Sequence, residues 1–209
     1  MTESKFFIWT IIWLLQIILV GTLVPNDWLE QQITSERQMT ADWLGNNALI
    51  DLVEKADSSF SSLFEETGMV AASYTIIPSR EEKEASVGLE NVGNSIWPYI
   101  ESRIQVMWIT IYQGVQRLAM IQLWVPYMLP LFIPAFIHGM CVREVKKVSY
   151  GYASPVVYHA ALQVMMLLIF LPLFYISLPF SIHPSAVLYW GIGLSICFIF
   201  LSSNLQKQV

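Results

Sequence analysis

The sequence predicts an all-α membrane protein with four transmembrane helices and an acidic helical insert between the first and the second. Of its 209 residues, 55% are hydrophobic and only 13% are charged. The mean hydropathy is +0.53, which is too apolar for an ordinary soluble domain. The net charge of −5 is also unevenly distributed, because the acidic residues concentrate in one stretch. That separation of charge predicts the topology.

The first transmembrane helix is predicted at residues 6–24, which contain no charged residue and follow a short N-terminus at residues 1–5. A helix of this length roughly spans a hydrocarbon core of about 30 Å. A secretory signal is the alternative, since Lys5 precedes the apolar run. The run exceeds the usual signal core, and no small residues suited to cleavage follow it. We therefore interpret it as an uncleaved anchor.

Residues 25–103 form the predicted acidic insert, with fourteen acidic and five basic residues and a net charge of −9. A first helix is expected to start at Pro25 and to end near Gly45. In the next helix, apolar residues recur at helical spacing along one stripe, formed by Leu49, Val53, Ala56, Phe60 and Leu63. Residues 79–82 have the form of a capping box and predict a short exposed helix.

Residues 104–137 are predicted to form a long helix whose second half is transmembrane segment 2. The first half has an apolar stripe that is expected to pack against the stripe of the insert. Pro126, Pro130 and Pro134 are expected to bend or break the second half, because proline removes a backbone donor. A re-entrant hairpin is the alternative, and it would place the next loop on the opposite side of the membrane.

Residues 138–155 form a predicted basic loop that fixes the orientation. It contains Arg143, Lys146 and Lys147 against one acidic residue, Glu144, which places it in the cytoplasm by the positive-inside rule. Transmembrane helices 3 and 4 are then predicted at residues 156–178 and 186–201, with an outer turn at 179–185 and a cytoplasmic C-terminus at 202–209. A basic tract of this kind attracts anionic membrane lipids. Because tyrosine and arginine are also favoured at protein interfaces, we expect the loop to dock a partner on the inner face.

Three polar residues lie within the apolar segments: Gln16, Arg117 and Gln163. The two glutamines suit hydrogen bonds between helices. A buried arginine is costly in a membrane, so Arg117 is expected to reach the outer interface, with pairing inside the bundle or a place on a polar path as alternatives. Three such groups do not make a transport pathway.

No catalytic motif or cofactor-binding motif is recognisable in the sequence, so neither a catalytic residue nor a cofactor is predicted. The two cysteines, Cys141 and Cys197, are expected to be reduced and structural. A metal site would require His138 and His159 to converge with Cys141 or Glu144 across the basic loop. Hydrogen bonding at the interface is the preferred interpretation of these histidines, and no metal is predicted.

The segment HGMCVREVKKVSYGYASPVVYHAA, residues 138–161, resembles the signature of a family of small inner-membrane proteins encoded by bacterial conjugative plasmids and integrative conjugative elements. The matching residues are Gly139, Arg143, Glu144, Gly151, Ser154, Tyr158 and His159. His138 stands where the family more often has aspartate, Lys146 and Lys147 replace arginines, and Ala153 replaces an acidic residue. The layout of one N-terminal span, an external region and three further spans is also similar.

The resemblance implies a non-enzymatic role in conjugative DNA transfer. Proteins of this type are similar to accessory partners of the coupling ATPase, which brings DNA to a type IV secretion channel. The resemblance implies a hetero-oligomer in the inner membrane, in contact with the ATPase, other secretion components and membrane lipids. In that membrane, the topology predicted from charge places both termini in the cytoplasm and residues 25–103 in the periplasm. The expected partner-binding residues are Arg143, Glu144, Lys146, Lys147, Tyr152, Ser154, Tyr158 and His159. Direct nucleic-acid contact is not expected, because so few basic residues neutralise few phosphates.

Two alternatives belong to other classes of protein. An exclusion factor or other surface-interaction protein would act through the external domain in the recipient cell. A membrane enzyme would need a polar constellation at one depth, which only His138, Glu144 and His159 offer.

Overall fold

The computed structural model describes residues 2–75, 77, 93–149, 151–152 and 154–205. These residues form seven α-helices: α1 (Thr2–Leu23), α2 (Asn26–Leu44), α3 (Asn46–Phe60), α4 (Met69–Tyr74), α5 (Gly93–Val148), α6 (Pro155–Ser177) and α7 (Ser185–Ser203). A π-helical turn, Ser61–Glu65, continues α3. The described residues contain no strand, which confirms the all-α prediction.

Three helices are long and apolar enough to cross a membrane: Ile96–Val148 within α5, together with α6 and α7. Helices α1 and α2 add a fourth candidate only if they count as one span, and they are bent by 115° at their junction. The membrane-protein prediction is therefore supported by helix length and apolarity, while the count of four spans stays a prediction.

The chain divides into two compact units. The first comprises Met1–Ala119 with Ile176–Ile182, and the second comprises Met120–Tyr175 with His183–Val209. The long helix α5 contributes its beginning to the first unit and its end to the second.

In the first unit, α2 and α3 form a helical hairpin in the predicted insert. Pro25 precedes α2, where its missing N–H group costs nothing. Gly45 separates the two helices with a φ of 89°, a conformation that suits glycine because it has no Cβ. The end of α1 is held against α5, because Arg103 Nη1 donates hydrogen bonds to the carbonyls of Thr22 and Val24 at 3.1 and 2.9 Å. Residues 79–82, the predicted capping box, lie outside the described residues.

The predicted apolar stripe of α3 does pack on α5, but its register differs from the prediction. Phe60 makes edge-on ring contacts with Trp108 and Tyr112 at centroid distances of 6.1 and 5.5 Å. The next contact with Trp108 comes from Phe64, whereas Leu63 is 57% exposed. The π-helical turn has more residues per turn than an α-helix, so it rotates the stripe by one position.

The predicted proline break in residues 104–137 is wrong, because α5 is a continuous helix through all three prolines. It also begins earlier and ends later than expected, so residues 138–148 are helical rather than part of a loop. The helix ends at Val148, shortly before Gly151, and Lys146 and Lys147 in its last turn complement the negative end of the helix dipole.

In the second unit, the end of α5 packs with α6 and α7. The core consists of Met165, Leu194 and Cys197, surrounded by partly buried Phe132, Leu168, Trp190, Phe198 and Leu201. A hydrogen bond also joins α6 and α7 beside this core, because Trp190 Nε1 donates to the carbonyl of Leu168 at 2.7 Å. The three helices bring Gly139, Lys146 and Ser154 next to the end of α7.

Candidate partner-binding site

The candidate site is the turn between α5 and α6 with the adjacent end of α7, all within the second unit. Gly139 lets α5 and α7 cross closely here. A Cβ atom at this position would lie 1.8 Å from Ser202 Oγ and 2.9 Å from the carbonyl oxygen of Ile199. No other residue type fits such a crossing without a shift of one helix. The match of Gly139 to the family signature thus has a steric reason.

Asn204 ties the turn to the end of α7. Its Oδ1 accepts hydrogen bonds from Lys146 Nζ at 2.9 Å and from the backbone amide of Ser154 at 3.3 Å. Its Nδ2 donates to the carbonyl of Phe200 at 2.9 Å, which orients the side chain amide. Lys146 Nζ also donates to the carbonyl of Ser203 at 3.3 Å, where a cation favours the helix end. Asn204 therefore links the last turn of α5 to the residue that precedes α6.

The other predicted partner-binding residues lie along the same turn but do not form one cluster. Lys147 and Glu144 form an exposed ion pair on α5. Arg143 is half-buried on the preceding helical turn. Tyr158 and His159 contact each other at a ring distance of 5.8 Å. The described contacts thus give Lys146 and Ser154 a structural role in the turn.

Four large apolar side chains project around the turn, and sequence reasoning identified only one of them as a partner residue. Val145, Val148, Tyr152 and Val156 are 64%, 82%, 77% and 77% exposed. We refer to these four residues as the turn rim. Exposed apolar groups that cluster beside charges are typical of interaction surfaces. In the sequence, the signal of this surface was a set of valines at helical spacing next to the lysines. The end of an ordinary helix can show the same residue pattern.

The histidines are not gathered into a metal site. His138 and His159 are both exposed, and no group of three or more His, Cys, Asp or Glu side chains in the described ranges is placed to hold a metal ion. Cys141 is exposed and Cys197 is buried, both as free thiols.

A second polar cluster lies in the first unit and is centred on Arg117. Its guanidinium makes a two-point contact with Glu36 of α2, from Nε to Oε1 and from Nη2 to Oε2, both at 3.0 Å. Gln113 Nε2 donates to Glu36 Oε2 at 3.1 Å. Arg117 is 1% and Glu36 5% exposed, so the pair is buried. Arg117 does not reach toward solvent as expected and instead pairs inside the protein, which was one of the stated alternatives.

The same guanidinium also holds the turn that follows α6. Arg117 Nη1 donates to the carbonyl of Leu178 at 2.6 Å, and Nη2 donates to the carbonyl of Phe180. Gln32 of α2 accepts a hydrogen bond from the amide of Ser181 at 3.0 Å. Sequence reasoning missed Glu36, because it is one of fourteen acidic residues in the insert and no local pattern distinguishes it.

The two glutamines predicted within the membrane segments differ in their surroundings. Gln16 on α1 is half-buried and has a partner in the structure. Gln163 on α6 is exposed on the surface of the second unit.

These features define a helical protein with several helices of membrane length, a basic helix end that is linked to the end of α7, and a buried ion pair between its insert and α5. A family model described as IncC plasmid conjugative DNA transfer protein DtrJ-like matches residues 20–206, and the chain therefore belongs to the DtrJ-like family. This confirms the predicted relation to conjugative DNA transfer. No curated relative and no solved structure matches the chain.

Proposed function

We propose that the protein is a non-enzymatic inner-membrane component of conjugative DNA transfer that binds and positions the coupling ATPase of the type IV secretion system. The family supplies the process, since its members are conjugative DNA transfer proteins. In this proposal the basic turn lies in the cytoplasm with both termini, and residues 25–103 lie in the periplasm.

The observation that carries the proposal is the turn rim, whose exposed apolar side chains lie beside the helix ends that Asn204 links. A basic loop that only sets topology or attracts lipid needs charge, but it needs neither a fixed conformation nor exposed valines. Here Asn204 links Lys146 at the end of α5 to the amide of Ser154 before α6, while Val148 and Tyr152 are left 82% and 77% exposed. Exposed apolar groups beside two linked helix ends are typical of a protein-binding surface. We assign that partner as the cytoplasmic side of the coupling ATPase.

The charges of the turn are poorly placed for nucleic acid. Lys146 is engaged by Asn204 and Lys147 by Glu144, so Arg143 is the basic residue of the loop that remains for a phosphate. One phosphate contact gives weak and strongly salt-dependent binding. We therefore propose that the protein contacts DNA only indirectly. We also propose that its acidic external helices contact other secretion components.

The test is affinity purification of the tagged protein from conjugating donor cells in mild detergent, followed by mass spectrometry. A Val148→Asp/Tyr152→Ala variant removes two of the four apolar side chains of the turn rim without touching the hydrogen bonds of Asn204. We expect the coupling ATPase to be recovered with wild type and lost with this variant at equal membrane abundance. Cys141→Ser is the matched control, because Cys141 is exposed on the same helix and belongs to neither the turn rim nor the expected partner-binding residues.

Absence of the ATPase from the wild-type sample would overturn the proposed partnership. Recovery with both proteins would keep the partnership and remove the turn rim as its site. Mating assays separate the remaining alternative. Deletion of the gene from the donor should abolish DNA export, whereas an exclusion factor would leave export intact and make the cell a better recipient.

A further inference from the structure

We propose that two copies of this chain pack in the membrane through α6 of one copy and the proline face of α5 of the other. In this contact, Gln163 of α6 donates a hydrogen bond to the carbonyl of Pro130, which has no amide partner in its own helix. The inference rests on α5 and α6 crossing the membrane and is independent of the coupling ATPase.

The proline face is one side of α5 that the second unit leaves uncovered. Pro126, Pro130 and Pro134 follow each other at intervals of four residues, so they share one side of the helix. All three are exposed, and so are their neighbours on that side, Ile133 and Ile137. The opposite side of the helix, with Met128, Ala135 and Gly139, is buried.

Each of these prolines leaves one backbone carbonyl without its usual donor. In an α-helix the N–H of residue i bonds to the carbonyl of residue i−4, and proline has no N–H. Pro126, Pro130 and Pro134 therefore free the carbonyls of Gln122, Pro126 and Pro130, on the same exposed side. Lipid chains cannot donate hydrogen bonds, so a carbonyl inside the bilayer must find a donor on protein.

Gln163 is the complementary group, because it is an amide donor exposed on an apolar helix. Its neighbours on that side of α6, Val164 and Leu167, are 46% and 42% exposed. An amide that faces lipid is as unfavourable as an unpaired carbonyl. One contact between copies would satisfy both groups.

The two groups also lie at matching depths. Trp190 contacts the carbonyl of Leu168, and the adjacent Gly191 lies against Met128, so Leu168 and Met128 share one level of the bundle. Gln163 is five residues from Leu168 and Ile133 is five residues from Met128, both toward the basic turn. Each step of five residues is about 7.5 Å along a helix. Gln163 therefore lies level with the turn of helix that contains the Pro130 carbonyl.

A second copy is the occupant that this pattern favours. The proline face offers acceptors and apolar side chains, so two proline faces in contact would leave the carbonyls unpaired. Gln163 and Pro130 are both exposed in one copy, and the described part of the chain shows no hydrogen bond between them. A second copy in the same orientation presents its own Gln163 at the required depth.

The first test is cysteine crosslinking of the full chain in native membranes. The background carries Cys141→Ser and Cys197→Ala, so that only introduced thiols react. Ile133→Cys on the proline face, combined with Val164→Cys on α6, should give a disulfide-linked dimer on oxidation. Ala135→Cys with Val164→Cys is the matched control and should stay monomeric, because Ala135 is buried. Monomer from both pairs, or a crosslink of the proline face to another protein only, would overturn the inference.

The second test separates the hydrogen bond from the packing. Two differently tagged copies are coexpressed, and the fraction that copurifies is measured on dilution in detergent. Gln163→Leu removes the donor and Pro134→Ala restores the missing N–H, so each should weaken self-association about three- to twentyfold. The double variant should be no weaker than the worse single variant, and Pro172→Ala should have no effect. Unchanged association in both single variants, or additive losses in the double variant, would contradict the proposed bond.

Discussion

The buried pair of Glu36 and Arg117 yields the sharpest prediction of stability. Replacing Glu36 with glutamine keeps the size of the side chain but removes the charge that faces the guanidinium. The two-point contact at 3.0 Å is then lost as an ion pair, and the guanidinium of Arg117, which is 1% exposed, loses the carboxylate that balances its charge. Breaking one partner of a buried pair costs about 3–5 kcal/mol, because the other charge remains desolvated.

The expected change in melting temperature follows from the size of the chain. For chains of this length, about 1 kcal/mol corresponds to about 2–4 °C. Glu36→Gln should therefore lower the melting temperature by about 6–20 °C in detergent. Thermal unfolding of the purified protein, followed by loss of monodisperse protein on size-exclusion chromatography, measures this directly.

Glu30→Gln is the matched control, since Glu30 lies on the same helix and is exposed. It should shift the melting temperature by less than about 2 °C. A Glu36→Leu/Arg117→Met variant removes both charges together and should recover much of the loss. If Glu36→Gln melts like wild type, the ion pair does not hold α2 against α5, and the reasoning is refuted.

Three further predictions concern packing. Gly139→Ala places a Cβ against the carbonyl of Ile199 and should destabilise the protein by about 1–3 kcal/mol, whereas Gly21→Ala, with no atom within 4 Å, should be neutral in the same melting assay. Asn204→Ala should leave the core intact but speed proteolysis between α5 and α6, measured against wild type in limited digestion, and equal rates would contradict its role as a tie. Phe60→Ala should cost about 2–4 kcal/mol because it removes three ring contacts, while Leu63→Ala should cost less than about 1 kcal/mol, and the reverse order would disprove the register.

The helical class was predictable because apolar composition and helical spacing are local signals. The hairpin of α2 and α3 was equally predictable, since Pro25 and Gly45 determine the backbone conformation locally at the helix ends. The π-helical turn after Phe60 was not predictable, because it depends on how Phe64 meets Trp108 across the fold. The prolines of α5 misled the prediction for a related reason. Their penalty depends on the neighbouring structure, and a helix tolerates them where its other contacts hold it in place.

The sites show the same division between local and long-range information. The basic turn was visible in the sequence because its charges and tyrosines are consecutive. The hydrogen bonds of Asn204 to Ser154 and Lys146 were not visible in the sequence, since they join residues that are 50 or more positions apart. Glu36 likewise lies 81 residues before its partner Arg117. A single sequence does not show which of its acidic residues makes such a contact.

The basic residues and the apolar residues of the turn are expected to contribute differently to partner binding. Two of its three basic residues are already engaged, Lys146 by Asn204 and Lys147 by Glu144, so little free charge is left to attract a partner. The turn rim, in contrast, presents four exposed apolar side chains. Salt screens exposed charges but strengthens rather than weakens apolar burial. If the turn binds the coupling ATPase as proposed, the complex should therefore survive a wash with about 0.5 M salt, where the Debye length is well below about 8 Å. A complex that salt dissociates would instead be held by charge, and the turn rim would not be its centre.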